Sequence, residues 1–213
     1  MRRFNKTQPL IYGTFQAYLR RTPAYLALSI EDARKNGYML GVKLVRGAYH
    51  ESETREHEVH GKMTISPDIL PPVWGSKKDT DTCYDACANV LLDSIAEDME
   101  QGSWTIATLF GTHNWTSADV ILDGLVSRGL AKKDDQDRVV IGDQVAERVT
   151  FGQLYGMGYK LADYVVGRTV SSVPMLIKYV PYGALSEVSR ADLEHETVAD
   201  RLIGHAVSWS AGD

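Results

Sequence analysis

Residues Leu40 to Glu53, which read LGVKLVRGAYHESE, say more about the fold than any other stretch of this 213-residue chain. They begin as a short apolar strand in which Lys43 and Arg46 alternate with Val and Leu, and they end in Gly-Ala-Tyr and an acidic exit. Two basic residues at the end of a buried strand are costly unless an anion or a carboxylate meets them. The Gly-Ala pair leaves room for a flat or bulky group, and Tyr49 offers a ring and a hydroxyl. The segment therefore predicts a ligand site at a strand tip.

On both sides of this segment, short apolar runs alternate with helical patterns. The predicted strands are Leu10–Tyr18, Gly41–Arg46, Thr105–Gly111, Val149–Tyr155 and Met175–Val180. The predicted helices are Pro23–Asn36 with a stop at Gly37, Asp79–Gln101, Ser117–Arg128 and Tyr159–Val166. The polar, proline-containing segment from His50 to Lys78 is expected to form a long loop or lid. Such β-α alternation predicts a parallel sheet or barrel with helices outside.

Polar and aromatic side chains gather where the predicted strands end. They are Gln16 and Tyr18, Arg46 to Tyr49, Thr112 to Asn114, Gln153 to Gly156, and Tyr179. In folds of this kind ligands bind at the carboxyl ends of the strands, because the loops there converge on one face. Packing alone does not explain this collection, so we expect a ligand-binding mouth.

Composition limits the partners of the chain. A net charge of −5 and a pI near 5.7 argue against nucleic acid. No run approaches the roughly 18 apolar residues of a membrane span, although a peripheral membrane contact stays open. We expect neither a signal peptide nor an organellar leader in the N-terminal segment. Cys83 and Cys87 are expected to be reduced, packed thiols, and the spacing of His50, His57 and His60 predicts no metal site.

Six motifs in this order resemble the flavin-dependent proline dehydrogenases, most closely their fungal, mitochondrial-type members. They are FQAYLRR (Phe15–Arg21), KLVRGAYHESE (Lys43–Glu53), KKDTDTCYD (Lys77–Asp85), GTHN (Gly111–Asn114), QLYGMG (Gln153–Gly158) and KYVPYG (Lys178–Gly183). Each motif is weak alone, but the match in order and spacing runs from about residue 8 to 188.

This resemblance implies a distorted (βα)8 TIM-like barrel that holds FAD at its carboxyl face. It also implies oxidation of L-proline to 1-pyrroline-5-carboxylate in proline catabolism, with hydride transfer to flavin N5 from a proline whose amine is neutral. The electrons then pass to a quinone at the membrane, which implies peripheral inner-membrane association. Eukaryotic members are mitochondrial.

The resemblance also assigns residue roles. Lys43 is placed beside the flavin N5 edge, where a fixed cation stabilises negative charge on the reduced ring. Lys43 and Tyr49 are the catalytic candidates. The expected FAD-binding residues are Gln16, Lys43, Val45, Arg46, Gly47, Ala48, Lys77, Thr112, His113 and Asn114. The expected walls of the proline pocket are Tyr49, Leu154 and Tyr179.

Each role has a simpler alternative. Lys43 could extend to the barrel rim, and Gln16 could be a buried amide satisfied by the backbone. Arg46 could form a surface ion pair with Glu51 or Glu53. His113 could be a base or a metal ligand, although no carboxylate or second histidine is spaced to support that role.

The chain departs from the family at both ends. A complete barrel of this type needs about 250 residues, and this chain matches only five βα units, corresponding to strands four to eight. We therefore expect an incomplete barrel domain over residues 1–188, with a lid-like insertion at 50–78, and a divergent C-terminal helix and tail over 189–213. The paired arginines that hold the proline carboxylate in the family are replaced by Glu194 and His195. Weak or no turnover by this chain alone is expected.

Two other functions stay open. The chain could be a non-catalytic partial barrel that binds a partner or another half-barrel, which the missing arginine pair favours. It could also be a phosphate-binding lyase barrel with Lys43 as a Schiff-base lysine, but this reading explains neither the THN nor the QLYGMG motif.

Overall fold

The computed structural model describes residues 1–60, 71–154, 157, 159–172 and 177–180. Its elements in chain order are β1 (Tyr12–Gln16), α1 (Thr22–Asn36), β2 (Leu40–Val45), α2 (His50–His60), α3 (Lys77–Glu100), β3 (Ile106–Gly111), α4 (Trp115–Ser127), β4 (Ala131–Lys133), β5 (Val139–Ile141), α5 (Asp143–Ala146), β6 (Val149–Leu154), α6 (Tyr159–Arg168), β7 (Thr169–Ser171) and β8 (Ile177–Val180). The alternation of strand and helix confirms the predicted α/β class.

The main sheet has five strands in the order β1-β2-β3-β6-β8, and neighbouring strands are parallel throughout. All five predicted strands are present in it. In the register of the sheet, Thr14 lies beside Lys43, and Lys43 lies beside Leu109. Among the described residues, β1 and β8 form the two edges.

One face of the sheet lies in the core, where the described helices α1 and α3 pack against it. Val42 and Leu44 of β2 are fully buried, and they join residues such as Leu26 of α1 and Leu91 of α3 in one hydrophobic core. Because successive strand residues point to opposite faces, Lys43 and Val45 lie on the other side. The alternation therefore separates a packed face from a face that is available to a ligand.

Local capping explains where the helices begin and end. α1 ends at Gly37, as predicted, and this glycine has a φ of 59°. α3 begins two residues before the predicted Asp79, because the side chain of Ser76 accepts a hydrogen bond from the backbone N–H of Asp79. Asn114 caps α4 in the same way by accepting from the N–H of Ser117.

The segment from His50 to Lys78 is not a continuous loop, so this prediction was wrong in its secondary structure. His50–His60 forms α2, and α3 has already begun at Lys77. The three prolines that suggested a loop all follow α2, and residues 61–70 lie outside the described part. Whether the segment acts as a lid stays a prediction.

A second, three-stranded sheet was not predicted. β4 and β5 form an antiparallel hairpin, and β7 pairs with β5 in parallel. The hairpin turn is held by Asp134 Oδ1, which accepts hydrogen bonds from the N–H groups of Gln136 and Arg138. Asp137 in this turn has a positive φ of 59°.

Three other expectations concern the cysteines, the membrane and the C-terminal end. Cys83 and Cys87 are free and buried on α3, which confirms the predicted thiols. Within the described residues, no helix is long and apolar enough to cross a membrane. The divergent segment 189–213, including Glu194 and His195, lies outside the described residues.

Candidate active site

A cavity of about 590 Å³ opens where β1, β2, β3 and β6 end. Its walls come from the face of the sheet opposite the core and from the segments that follow the strands. Twelve of the predicted site residues line it, namely Gln16, Lys43, Val45, Arg46, Gly47, Ala48, Tyr49, Lys77, Thr112, His113, Asn114 and Leu154. The fold therefore brings nearly the whole predicted set to one place.

Tyr179 is the exception among the predicted site residues. Its ring packs against the ring of Tyr159, with the ring centroids 5.6 Å apart, and it lies against the hydrophobic core. It is not among the described residues that line the cavity. A role for Tyr179 in binding substrate stays a prediction.

Two glycines lie side by side in the floor of the cavity. Gly111 and Gly152 are register partners on β3 and β6. A Cβ atom on Gly152 would lie 2.5 Å from Leu109 Cδ2, and one on Gly111 would lie 2.8 Å from Val45 Cγ1. The side chains of Leu109 and Val45 therefore pack over the backbone of the two glycines, where a larger residue would clash with them. Together they form an apolar surface suited to an aromatic ring.

Lys43 places a positive charge on this floor. It is half-buried between Thr14 and Leu109, and no hydrogen bond or ion pair joins it to any residue in the part of the chain that the structure describes. A partly buried ammonium group is stabilised by an anionic or electron-rich partner. We therefore expect a ligand to provide this partner.

Arg46, in contrast, is held by the protein itself. Its Nε donates to Asp81 Oδ1 at 2.5 Å, its Nη1 to Thr112 Oγ1 at 3.0 Å and its Nη2 to Ser117 Oγ at 2.8 Å. Its guanidinium carbon lies 4.4 Å from the centroid of the Tyr84 ring. The ion pair is therefore with Asp81, and neither Glu51 nor Glu53 takes that place. Arg46 ties the ends of β2 and β3 to α3 and α4.

Asp81 connects this interior network to the rim of the cavity. Its second carboxylate oxygen accepts a hydrogen bond from Lys77 Nζ at 2.5 Å, and Lys77 is largely exposed. Burial alone would raise the pKa of Asp81, but the hydrogen bonds from Lys77 and Arg46 lower it below its usual value. The ionised carboxylate therefore balances two cations.

The Thr112–Asn114 turn is built by its own side chains. Thr112 Oγ1 accepts a hydrogen bond from the N–H of Asn114 at 3.0 Å. His113 Nε2 accepts one from the backbone N–H of Leu154 at 3.4 Å, which joins the tips of β3 and β6. Partial burial lowers the pKa of His113, which favours the neutral ring that this bond requires. The turn is thereby a rigid wall of the cavity.

Gly47 shapes the turn after β2. It has a φ of +109°, and a Cβ atom there would lie 1.8 Å from the ring of Tyr18. That ring is buried, and the backbone N–H of Tyr18 donates to the carbonyl of Arg46 at 2.9 Å. The turn therefore requires glycine both for its backbone conformation and for space.

The cavity also contains residues that were not predicted to belong to it. They are Thr14, Leu109, Gly111 and Gly152, whereas Gln153 was expected at the ligand-binding mouth but was given no binding role. Strand alternation could have identified two of them, because Thr14 is two residues before Gln16 and Leu109 is two residues before the end of β3. The paired glycines require the register between strands, which the sequence alone does not supply.

Comparisons with known proteins agree on one family. The family model for proline dehydrogenase matches residues 1–190. Mitochondrial proline dehydrogenase 1 of Homo sapiens is 31% identical over 202 residues, covering 92% of this chain and 29% of that relative. Mitochondrial proline dehydrogenase 2 of Arabidopsis thaliana is 31% identical over 217 residues, covering 96% of this chain and 40% of that relative.

A solved structure also resembles this chain. It is proline utilization A from Bdellovibrio bacteriovorus, which superposes with a TM-score of 0.58 at 27% identity, over 81% of this chain and 14% of that one. The chain therefore spans less than half the length of each of these three relatives.

Proposed function

This chain belongs to the proline dehydrogenase family, and we propose that its cavity binds FAD and L-proline and supports oxidation of proline to 1-pyrroline-5-carboxylate. The observation that carries this proposal is the apolar floor formed over Gly111 and Gly152 beside Lys43, a cation without a protein partner in the described residues. A planar, electron-accepting ring is the kind of ligand that this combination suits.

The residues present fit the isoalloxazine ring of FAD. The floor over Gly111 and Gly152 offers it an apolar surface, and Gln16 on β1 offers a side-chain amide at its edge. When bound, FAD supplies the acceptor for the two electrons and the hydrogen taken from the substrate. Lys43 stabilises the negative charge that develops on the acceptor, because its ammonium group is held on a partly buried wall.

Tyr49 and Leu154 line the same cavity and are the proposed contacts for the proline ring. Leu154 supplies an apolar surface next to the wall formed by His113, and Tyr49 stands at the exposed end of the turn after β2. A small saturated ring suits an apolar slot with one polar margin. Both residues lie within reach of a ligand placed over the glycine floor.

The wider assignments follow the relatives. We propose that the sheet corresponds to the last five strands of the family barrel, and that a quinone accepts the electrons during peripheral contact with the mitochondrial inner membrane. The relatives from Homo sapiens and Arabidopsis thaliana are named as mitochondrial. Because Glu194 and His195 stand where an arginine pair is expected, we propose that this chain alone turns over weakly.

Flavin binding and proline-dependent dye reduction test the proposal. The wild-type chain should bind FAD, seen as saturable quenching of the flavin fluorescence. It should also reduce a dye slowly when L-proline is added. Lys43→Met should lower the dye-reduction rate by about 100-fold or more, while Lys35→Met, at an exposed position on α1, should leave it unchanged. A wild-type chain that binds no FAD would refute the proposal.

A second function, binding of a complementary half-barrel of the same family, is favoured by the edge at β1. Ile11 and Tyr12 at this edge are 41% and 38% exposed, and an unpaired parallel strand offers free backbone groups to a new strand. Such a partner should co-purify with the chain and protect the β1 amides from hydrogen exchange. A stable monomer that binds FAD would count against this function.

A further inference from the structure

Thr14 is a polar residue of the cavity wall to which the proposed function gives no role. It lies on β1 next to Phe15, whose side chain is buried in the core, and strand alternation turns Thr14 to the opposite face, where it lines the cavity. Thr14 is exposed, and no hydrogen bond joins its hydroxyl group to any residue that the structure describes. The hydroxyl group therefore meets the cavity and can donate or accept a hydrogen bond there.

The register of the sheet places Thr14 directly beside Lys43. The two residues are Cα partners in the parallel pair of β1 and β2, and both line the cavity, so their side chains share one face. Neighbouring strands lie about 4.7–4.9 Å apart, a distance that the flexible four-carbon stem of a lysine can bridge. On its other side Lys43 has Leu109, which offers no polar side-chain atom. Thr14 thus supplies the hydroxyl group next to the ammonium group.

The height of the ammonium group above the floor decides what it can stabilise. A ring that rests on the floor at Gly111 and Gly152 lies about 3.5–4.0 Å above the carbon atoms beneath it. A fully extended lysine would carry its charge beyond the plane of such a ring. A hydrogen bond to the short side chain of Thr14 would instead keep the charge near the edge of the ring. A charge stabilises a reacting group best when it is already in place.

We propose that the hydroxyl group of Thr14 accepts a hydrogen bond from Lys43 Nζ and so holds the ammonium group at the edge of the bound ring. This inference rests on the proposed function, because the ring is that of FAD. Thr14 is a positioning residue, since it acts on the flavin through Lys43. Its loss should weaken the stabilisation of the reduced flavin and leave the binding of FAD intact.

Thr14→Val tests this role, because valine keeps the branched shape and lacks the hydroxyl group. Valine is favoured in strands, so the melting temperature of the ligand-free chain should be equal to or higher than that of the wild type. Proline-dependent dye reduction should slow about tenfold, the effect of one hydrogen bond to a charged group. Thr14→Ser keeps the hydroxyl group and should stay close to the wild-type rate. Thr7→Val, at an exposed position before β1, is the matched control and should change neither quantity.

The reduction potential of the bound flavin gives a readout that needs no proline. It is measured by reducing the FAD-loaded chain together with a reference dye. Thr14→Val should lower the potential by about 30 mV, which is a factor of ten in a two-electron equilibrium. Lys43→Met should lower it further. The double variant Thr14→Val/Lys43→Met should have the potential of Lys43→Met alone, because Thr14 acts only through the lysine.

Several outcomes overturn the inference. Shifts in potential that add in the double variant show that Thr14 acts on the ring directly. A wild-type potential in Thr14→Val, beside a lowered one in Lys43→Met, shows that the hydroxyl group does not hold the lysine, and the proposed function then stands. A wild-type chain that binds no FAD overturns the proposed function and this inference together.

Discussion

Replacement of Arg46 by methionine should lower the free energy of unfolding by about 3 kcal/mol. The guanidinium group donates to Asp81, Thr112 and Ser117 over 2.5 to 3.0 Å. A hydrogen bond to a charged group contributes about 1.5–3 kcal/mol, but these three are coupled and their energies do not add. Thr112 and Ser117 also keep other partners, which reduces the loss. Solvent screens the ion pair only in part, since the Arg46 and Asp81 side chains are 20% and 25% exposed.

Urea unfolding of the purified chain, followed by tryptophan fluorescence, measures this loss. Arg46→Lys should give an intermediate loss of unfolding free energy. Lysine keeps the positive charge near Asp81, but it lacks the planar guanidinium group that donates to three oxygens at once. Arg2→Met is the control, since Arg2 pairs with Asp32 at the surface and its side chain is 64% exposed. A loss below about 1 kcal/mol for Arg46→Met, at an unchanged denaturant slope, would show that this network does not hold the strand ends together.

Two further predictions concern pH and the turn after β2. Because the pKa of Asp81 is lowered in the folded chain, its contribution to stability is complete above the ordinary aspartate pKa of about 3.9 and is lost as pH falls through the folded value. The wild type should therefore exceed Arg46→Met in urea midpoint by less as the pH falls below about 4. A difference in midpoint that stays constant with pH would contradict the ion pair. Gly47→Ala should cost about 2 kcal/mol or more, because of its φ of +109° and the Tyr18 ring. Gly75→Ala, with no atom within 4 Å of the new Cβ, should change stability by less than about 0.5 kcal/mol, and equal melting temperatures for the two variants would refute the steric argument.

The strands of the main sheet could be predicted from the sequence because each is a short apolar run between clear boundaries. Gly37 ended α1 as expected, since a left-handed residue stops a helix. α2 was missed because HESETREHEVH has almost no apolar stripe to show a helical period. β4, β5 and β7 were missed because three-residue strands are too short to show alternation, and because β5 pairs with β7 across a large gap in sequence.

The candidate site was predictable where it follows strand ends and not where it depends on contacts. The residues after β2 and β3 were placed correctly at the cavity by topology alone. The partner of Arg46 was not, because Asp81 belongs to a helix that follows α2 and only packing brings it to β2. The position of Tyr179 beside Tyr159 likewise depends on which side of β8 faces the core.

The alternation of β2 ties ligand binding to the alignment of the sheet. Val42 and Leu44 are completely buried, while Lys43 lies on the opposite face. A slip of β2 by one residue against β1 and β3 would turn every side chain over, forcing the ammonium group into the core and the two aliphatic residues into the cavity. Burying that charge without a partner costs several kcal/mol, so the misaligned sheet is strongly disfavoured. The lysine proposed to bind the ligand therefore also favours the correct alignment of the strand during folding.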